Sequence, residues 1–120
     1  MDTTLLIAEV LLGAIFLTSG TIKLTQPRRK MAAGAMRWAA DVTDAQYRTV
    51  GALEVLGVLG LVLGAATGAP ILTTLAATGL ALTMAGAIAT HARYGETERI
   101  AVPAVLLVVA IFIATAAQHL

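Results

Sequence analysis

Four apolar stretches, each about as long as a bilayer is thick, constrain the fold of this 120-residue chain more than any other feature. They lie at about residues 5–24, 48–66, 71–90 and 100–118. A helix needs ~20 apolar residues to cross ~30 Å of hydrocarbon. Charged residues make up 12% of the chain, about half the share found in soluble domains. The sequence therefore predicts an all-α, integral membrane four-helix bundle that occupies residues 1–120 as a single domain.

The first stretch lies where a secretory signal peptide would lie. Asp2 is the only charged residue before Glu9, so the basic segment of a signal peptide is missing, and no clear small-residue cleavage site follows. We therefore interpret this stretch as a retained membrane helix.

The basic residues lie at only two of the three connections between the spans. Around the first connection are Lys23, Arg28, Arg29, Lys30, Arg37 and Arg48, and around the third are Arg93 and Arg99. The positive-inside rule places these two connections in the cytoplasm and both termini outside. The sequence thus predicts a multi-pass protein of the cytoplasmic membrane, in contact with lipid.

The connections carry recognisable local signals. The segment "TDAQ" fits a capping box with Thr43 as N-cap, so the second span should begin near Asp44. Residues 28–40, "RRKMAAGAMRWAA", suit a short interfacial helix, which serves either as a basic anchor or as a surface for a partner. In "TGAP", Gly68 can end one helix and Pro70 can open the next, which predicts a tight hairpin.

Small and polar residues recur at three- and four-residue steps along the first three spans. Such stripes let membrane helices approach closely and bury polar groups between them. The predicted inward-facing stripes are Glu9, Gly13, Phe16, Gly20 and Lys23; Gly51, Glu54, Gly57, Gly60 and Gly64; and Gly79, Thr83, Gly86 and Thr90. The fourth span is bulky and apolar all round, so it is expected to shield the other three.

Ionisable residues within the spans mark the candidate site. Glu54 lies roughly 9 Å of helix from Arg48, and a charge at this depth should be paired or protonated. We expect it to pair with Lys23 or Arg93, in a buried polar cluster that includes Ser19 and His91. Glu9 is a second intramembrane acid at the opposite end of the first span, about 20 Å from Lys23, and its neighbours are not assigned.

Three segments resemble those of DoxX-like membrane proteins: "SGTIKL" at 19–24, "GALEVLGVLGLVLG" at 51–64 and "LAATGLALTMAGAIATHAR" at 75–93. They cover three of the four spans, in the family's order. The resemblance implies that Lys23, Glu54, His91 and Arg93 occupy the family's typical polar positions. It also implies a link to quinone-dependent sulfur oxidation or to membrane redox complexes.

The favoured function is a redox-associated membrane subunit with a quinone, or a similar lipid-soluble molecule, as its candidate ligand. The alternative is a non-enzymatic accessory or assembly factor that acts through helix packing and the basic first connection, with a membrane protein partner or as a homo-oligomer. In a purely structural reading, the polar cluster only locks the helices together.

Other chemistry is disfavoured by the sequence. With no cysteine, disulfide exchange and thiolate metal sites are excluded. The two histidines, His91 and His119, end helices on opposite sides, so we expect no metal or haem site. A net charge of +1 gives no field that would draw nucleic acid. No catalytic residue is assigned, and enzyme activity stays open.

Overall fold

The computed structural model describes residues 3–34 and 36–118, and His119 lies outside them. The helices are α1 (Thr3–Thr25), α2 (Arg28–Ala32), α3 (Asp44–Thr67), α4 (Pro70–Arg93) and α5 (Ala101–Ala117), with 3₁₀ helices at Arg37–Asp41 and Thr97–Arg99. The described part of the chain contains no strand. Four of its helical segments are long and apolar enough to cross a membrane: α1, α3, α4 and Thr97–Ala117. This confirms the predicted all-α, four-helix architecture, while the orientation of the termini stays a prediction.

The helix ends follow the local signals in the sequence. The Thr43 side chain accepts from the Gln46 backbone N–H, and the Gln46 side chain accepts from the Thr43 N–H, which completes the capping box. Gly68 ends α3 in the left-handed conformation, with φ of 66°, where a residue without Cβ is unstrained. Pro70 opens α4. The hairpin between α3 and α4 is therefore fixed by two residues that suit these positions.

The four spans form a closed ring in which α1 packs on α3, α3 on α4, α4 on α5, and α5 again on α1. The centre is apolar and includes Leu12, Phe16, Leu80 and Ile113, all fully or almost fully buried. Large apolar side chains are exposed along every span. In water such a surface would aggregate, whereas in a bilayer it faces hydrocarbon.

Glycines set how closely the helices approach. A Cβ added to Gly51 would lie 2.7 Å from Cβ of Lys23 and 3.0 Å from the Gly20 carbonyl oxygen, so α1 and α3 touch backbone to backbone here. On another side of α3, a Cβ at Gly57 or Gly64 would collide with Leu80 or Thr73 of α4. The predicted close packing along the first two spans is thus confirmed.

The predicted close helix packing at the glycines of the third span is wrong, although Thr83, Gly86 and Thr90 of that stripe line a cavity between the helices. Gly79 and Gly86 are exposed, and an added Cβ at either would meet nothing within 4 Å. The buried face of α4 is instead Thr73, Ala77, Leu80 and Met84. The reason is steric: Leu80 fills the space left by Gly57, so α4 meets α3 through this leucine and not through its own glycines.

The first and third connections meet at one end of the bundle, which we call the basic end because all eight Lys and Arg residues lie there. Arg28 Nε lies 2.7 Å from an Asp44 carboxylate oxygen, and its Nη1 donates to the Ala39 carbonyl at 2.8 Å. The Tyr94 hydroxyl donates to Asp41, joining the two connections. In place of the predicted short helix, the first connection contains two separate short helices, Arg28–Ala32 and Arg37–Asp41. Their place at a membrane interface stays a prediction.

Candidate functional site

A buried ion pair joins the first two spans at the basic end. Lys23 Nζ, from the last turn of α1, lies 2.8 Å from Glu54 Oε1 of α3, and the two side chains are 8% and 2% exposed. The contact is possible because α1 and α3 meet through Gly20 and Gly51, one turn away on each helix. Lys23 also donates to Ser19 Oγ at 2.6 Å. The pairing of Glu54 is therefore with Lys23.

The pair is not fully satisfied. Although the ammonium is 2.8 Å from Glu54 Oε1, no donor among the described residues reaches this oxygen with hydrogen-bond geometry. The contact is thus close but poorly aligned, and it is mainly electrostatic. A buried acceptor without a directed donor is costly, so the charge attraction to Lys23 has to offset this cost.

A cavity of about 590 Å³ lies beside the pair, between α1, α3, α4 and α5. Its polar lining includes Ser19, Lys23, Glu54 and His91. Much of the remaining lining is apolar, including the exposed side chains of Ile15, Leu53 and Val102. Exposed apolar residues of a membrane span face lipid, so the apolar lining of the cavity extends to the lipid-facing surface of the bundle.

The first connection covers the cavity at the basic end. Met36 and Trp38 line the cavity and rest on the buried Tyr47 of α3. The rings of Trp38 and Tyr47 have centroids 5.8 Å apart, and the Tyr47 hydroxyl lies 3.8 Å from Met36 Sδ. Since Arg28 ties this connection to Asp44 and Ala39, the cover is held in place by polar contacts outside the cavity.

The comparison with known families agrees with this architecture. The model of the DoxX-like family matches residues 7–113, nearly the whole bundle. The chain belongs to the DoxX-like family. No curated protein and no solved structure matches it significantly. Family membership and four apolar helices together indicate a multi-pass membrane protein.

His91 lines the cavity of this DoxX-like protein, but its acidic partner is Glu96 rather than Glu54. Nδ1 of His91 lies 3.1 Å from Glu96 Oε1. The Glu96 side chain is only 6% exposed, and its Oε2 lies 3.8 Å from Arg37 and 3.9 Å from Arg99. When Nδ1 carries its hydrogen, it donates this hydrogen to the Glu96 carboxylate. Nε2 is then the ring nitrogen left for other contacts.

Glu96 was missed by the sequence analysis. Gly95, with φ of 69°, turns the chain back after α4, and the Glu96 backbone N–H then donates to the His91 carbonyl at 2.8 Å. This turn places the acid against the histidine five residues earlier. The available signal was a glycine directly after a helix end, followed by an acid with basic residues on both sides.

Of the five predicted residues of the polar cluster in this DoxX-like protein, four lie at one cavity and one does not. The structure brings Ser19, Lys23, Glu54 and His91 to one cavity, whereas Arg93 is exposed and is not part of its lining. Within the described residues, no three His, Asp or Glu side chains are grouped to hold a metal ion. Glu9 is buried at the other end of α1, beside a separate groove.

Proposed function

We propose that this DoxX-like protein is a redox-associated membrane subunit whose cavity binds a quinone or a similar lipid-soluble molecule. The observation that carries the proposal is the lining of the cavity. A lysine, a carboxylate and a histidine converge in a largely apolar cavity of about 590 Å³, which is within the usual size range of ligand pockets, about 300–1,000 Å³. The exposed apolar residues at its edge would admit a molecule dissolved in the bilayer.

The polar groups suit both redox forms of such a ligand. The Lys23 ammonium has three hydrogens, one of which it donates to Ser19. Another can be donated to a quinone carbonyl. When Nδ1 of His91 donates to Glu96, Nε2 can accept from a quinol hydroxyl.

Proton exchange with the ligand would use these same residues. A quinol that loses electrons must also release its protons, and the acceptors nearest the cavity are His91 and Glu54. His91 contacts Glu96, and Glu96 in turn contacts Arg37 and Arg99 at the basic end, so polar groups extend from the cavity to that end. This arrangement supports a role in which the protein holds the ligand while an associated redox partner exchanges electrons with it.

Binding can be measured through Trp38, the single tryptophan of the chain, which lines the cavity. We expect a short-chain ubiquinone, added to purified protein in detergent, to quench Trp38 fluorescence to saturation. Glu54→Gln and His91→Ala should each weaken binding about tenfold, the effect of losing ~1.4 kcal/mol. The matched control is Glu98→Gln, the same change at an exposed acid outside the cavity lining.

Quenching that does not saturate, or that is equally strong in all variants, would contradict quinone binding in this cavity. So would a lipid extract of the purified protein that contains no quinone. The accessory function would then be favoured, since α2 exposes Arg29 and Lys30 on a connection fixed to the bundle. A membrane protein that co-purifies equally with wild type and with Lys23→Ala would support that function.

A further inference from the structure

We infer a second binding site at Glu9, in a groove between α1 and α3 at the end of the bundle away from the basic end, for a lipid-soluble amine. Glu9 is 7% exposed. Its Oε2 is buried and has no hydrogen-bond partner in the described structure, and Glu9 makes no ion pair with any described residue. A carboxyl in an apolar span without a partner is costly. The geometry therefore points to a group supplied from outside the bundle.

The groove beside Glu9 has room for such a molecule. Its volume is about 270 Å³, and apart from Glu9 its lining is entirely apolar or glycine. Val10 and Val62 are more than half exposed at its edge, so the groove opens towards lipid. It resembles a channel for an alkyl chain with one polar contact point.

The charge distribution of the chain identifies the ligand as an amine. All eight Lys and Arg residues lie at the basic end, and Glu9 is about 20 Å of helix from Lys23, the nearest of them along α1. A second copy in the same orientation would also carry its cations at the basic end. Neither the described part of this chain nor that of a parallel copy therefore places a Lys or Arg beside Glu9.

Binding of an amine can form the ion pair without carrying net charge into the membrane. An empty site holds the neutral carboxyl, and the amine enters from the lipid in its neutral form. The carboxyl proton moves to the amine nitrogen, which leaves an ammonium and a carboxylate in contact. The alkyl chain then fills the apolar groove, while the ammonium donates to Oε2.

The first test uses dodecylamine with the purified full-length protein. Dodecylamine should raise the thermal unfolding temperature of wild type, because a ligand that binds only the folded state stabilises it. Dodecanol, with the same chain and no basic nitrogen, should give less than a third of that rise. Glu9→Gln should abolish the rise, and Glu98→Gln should retain it. A rise that persists in Glu9→Gln would overturn the proposal.

A second variant keeps the carboxyl and closes the groove. A Cβ at Gly13 would lie 3.8 Å from Val58, an ordinary contact, so Gly13→Leu should fold and fill part of the groove. It should weaken the response to dodecylamine at least fivefold, and an undiminished response would contradict the site.

Chemical labelling gives an independent readout. Dicyclohexylcarbodiimide reacts with neutral carboxyls in hydrocarbon, so mass spectrometry should find its adduct on Glu9 and much less on Glu54, which is paired. Dodecylamine should reduce the Glu9 adduct at least fivefold. Labelling without protection would overturn the amine site. A loss of oligomer in Glu9→Gln without any response to amine would instead assign the groove to a protein helix. Neither result depends on quinone binding in the larger cavity.

Discussion

Removing one or the other member of the Lys23–Glu54 pair should have unequal effects on stability, because Lys23 is attached near a helix end and Glu54 well inside its helix. Lys23 is in the last turn of α1, whereas Glu54 is ten residues into α3 and 2% exposed. Without Lys23, the Glu54 carboxylate has no other cation to reach. Breaking a buried pair in this way costs about 3–5 kcal/mol, which is the loss expected for Lys23→Ala.

Glu54→Gln should cost only about 1–2 kcal/mol. Glutamine keeps the shape and an acceptor oxygen, so the charge attraction to Lys23 is lost but no unpaired carboxylate is left buried. The Lys23 ammonium keeps its bond to Ser19, and its long side chain can extend to the aqueous end of the helix. Glu54→Ala should cost about 3 kcal/mol, since it also leaves a cavity beside Gly20.

The free energies of unfolding can be measured by titration with a denaturing detergent, followed by circular dichroism. The double variant Lys23→Ala/Glu54→Gln completes a cycle in which the two losses should not add, because the pair is in direct contact. Equal losses for Lys23→Ala, Glu54→Ala and Glu54→Gln would refute the reasoning, since burial and pairing would then not determine the cost.

Three further predictions concern packing and the cover of the cavity. Gly51→Ala should destabilise the bundle by about 1–3 kcal/mol through overpacking. Gly79→Ala, at a helix position open to lipid, should be neutral or stabilising. A thermal melt that ranks the two variants in the opposite order would contradict the contact between α1 and α3. Thr43→Ala should cost about 1 kcal/mol by removing the cap of α3, as measured by the same melt, and no change would mean that the cap is dispensable. Arg28→Ala should release the first connection, so that acrylamide quenches Trp38 more strongly at unchanged overall helicity; unaltered quenching would show that Arg28 does not hold the cover.

The residues that are predictable from sequence are those whose signal is local. The start of α3 follows from Thr43 and Gln46, which satisfy each other three residues apart. That Glu54 is paired follows from depth, but the sequence left Lys23 and Arg93 as alternative partners. A short stretch of chain determines the cap of α3, whereas the choice of Lys23 depends on the close approach of α1 and α3 at Gly20 and Gly51.

The burial of a residue is not predictable in this way when it depends on which face of its helix meets a neighbouring helix. In α4, Gly79 and Gly86 form a regular stripe, yet an apolar membrane helix offers no polar face to show which side is lipid-exposed. The outcome depends on Leu80 fitting against Gly57. Glu96 lies in a connection where an acid would normally be solvated, and its burial requires Arg37, almost 60 residues earlier, to lie beside it.

The same charge asymmetry that predicts orientation also separates the two buried acids of the membrane spans into a paired one and an open one. Because every Lys and Arg lies at the basic end, Glu54 pairs with Lys23, while Glu9 has no ion-pair partner among the described residues. Ala65 lines the groove across from Glu9, so Ala65→Lys supplies the missing cation from within the chain. This variant should lose both the carbodiimide adduct on Glu9 and the response to dodecylamine, while Ala65→Gln, which is comparable in length and uncharged, should keep both. If the lysine variant still bound dodecylamine as wild type does, charge pairing would not be what Glu9 lacks.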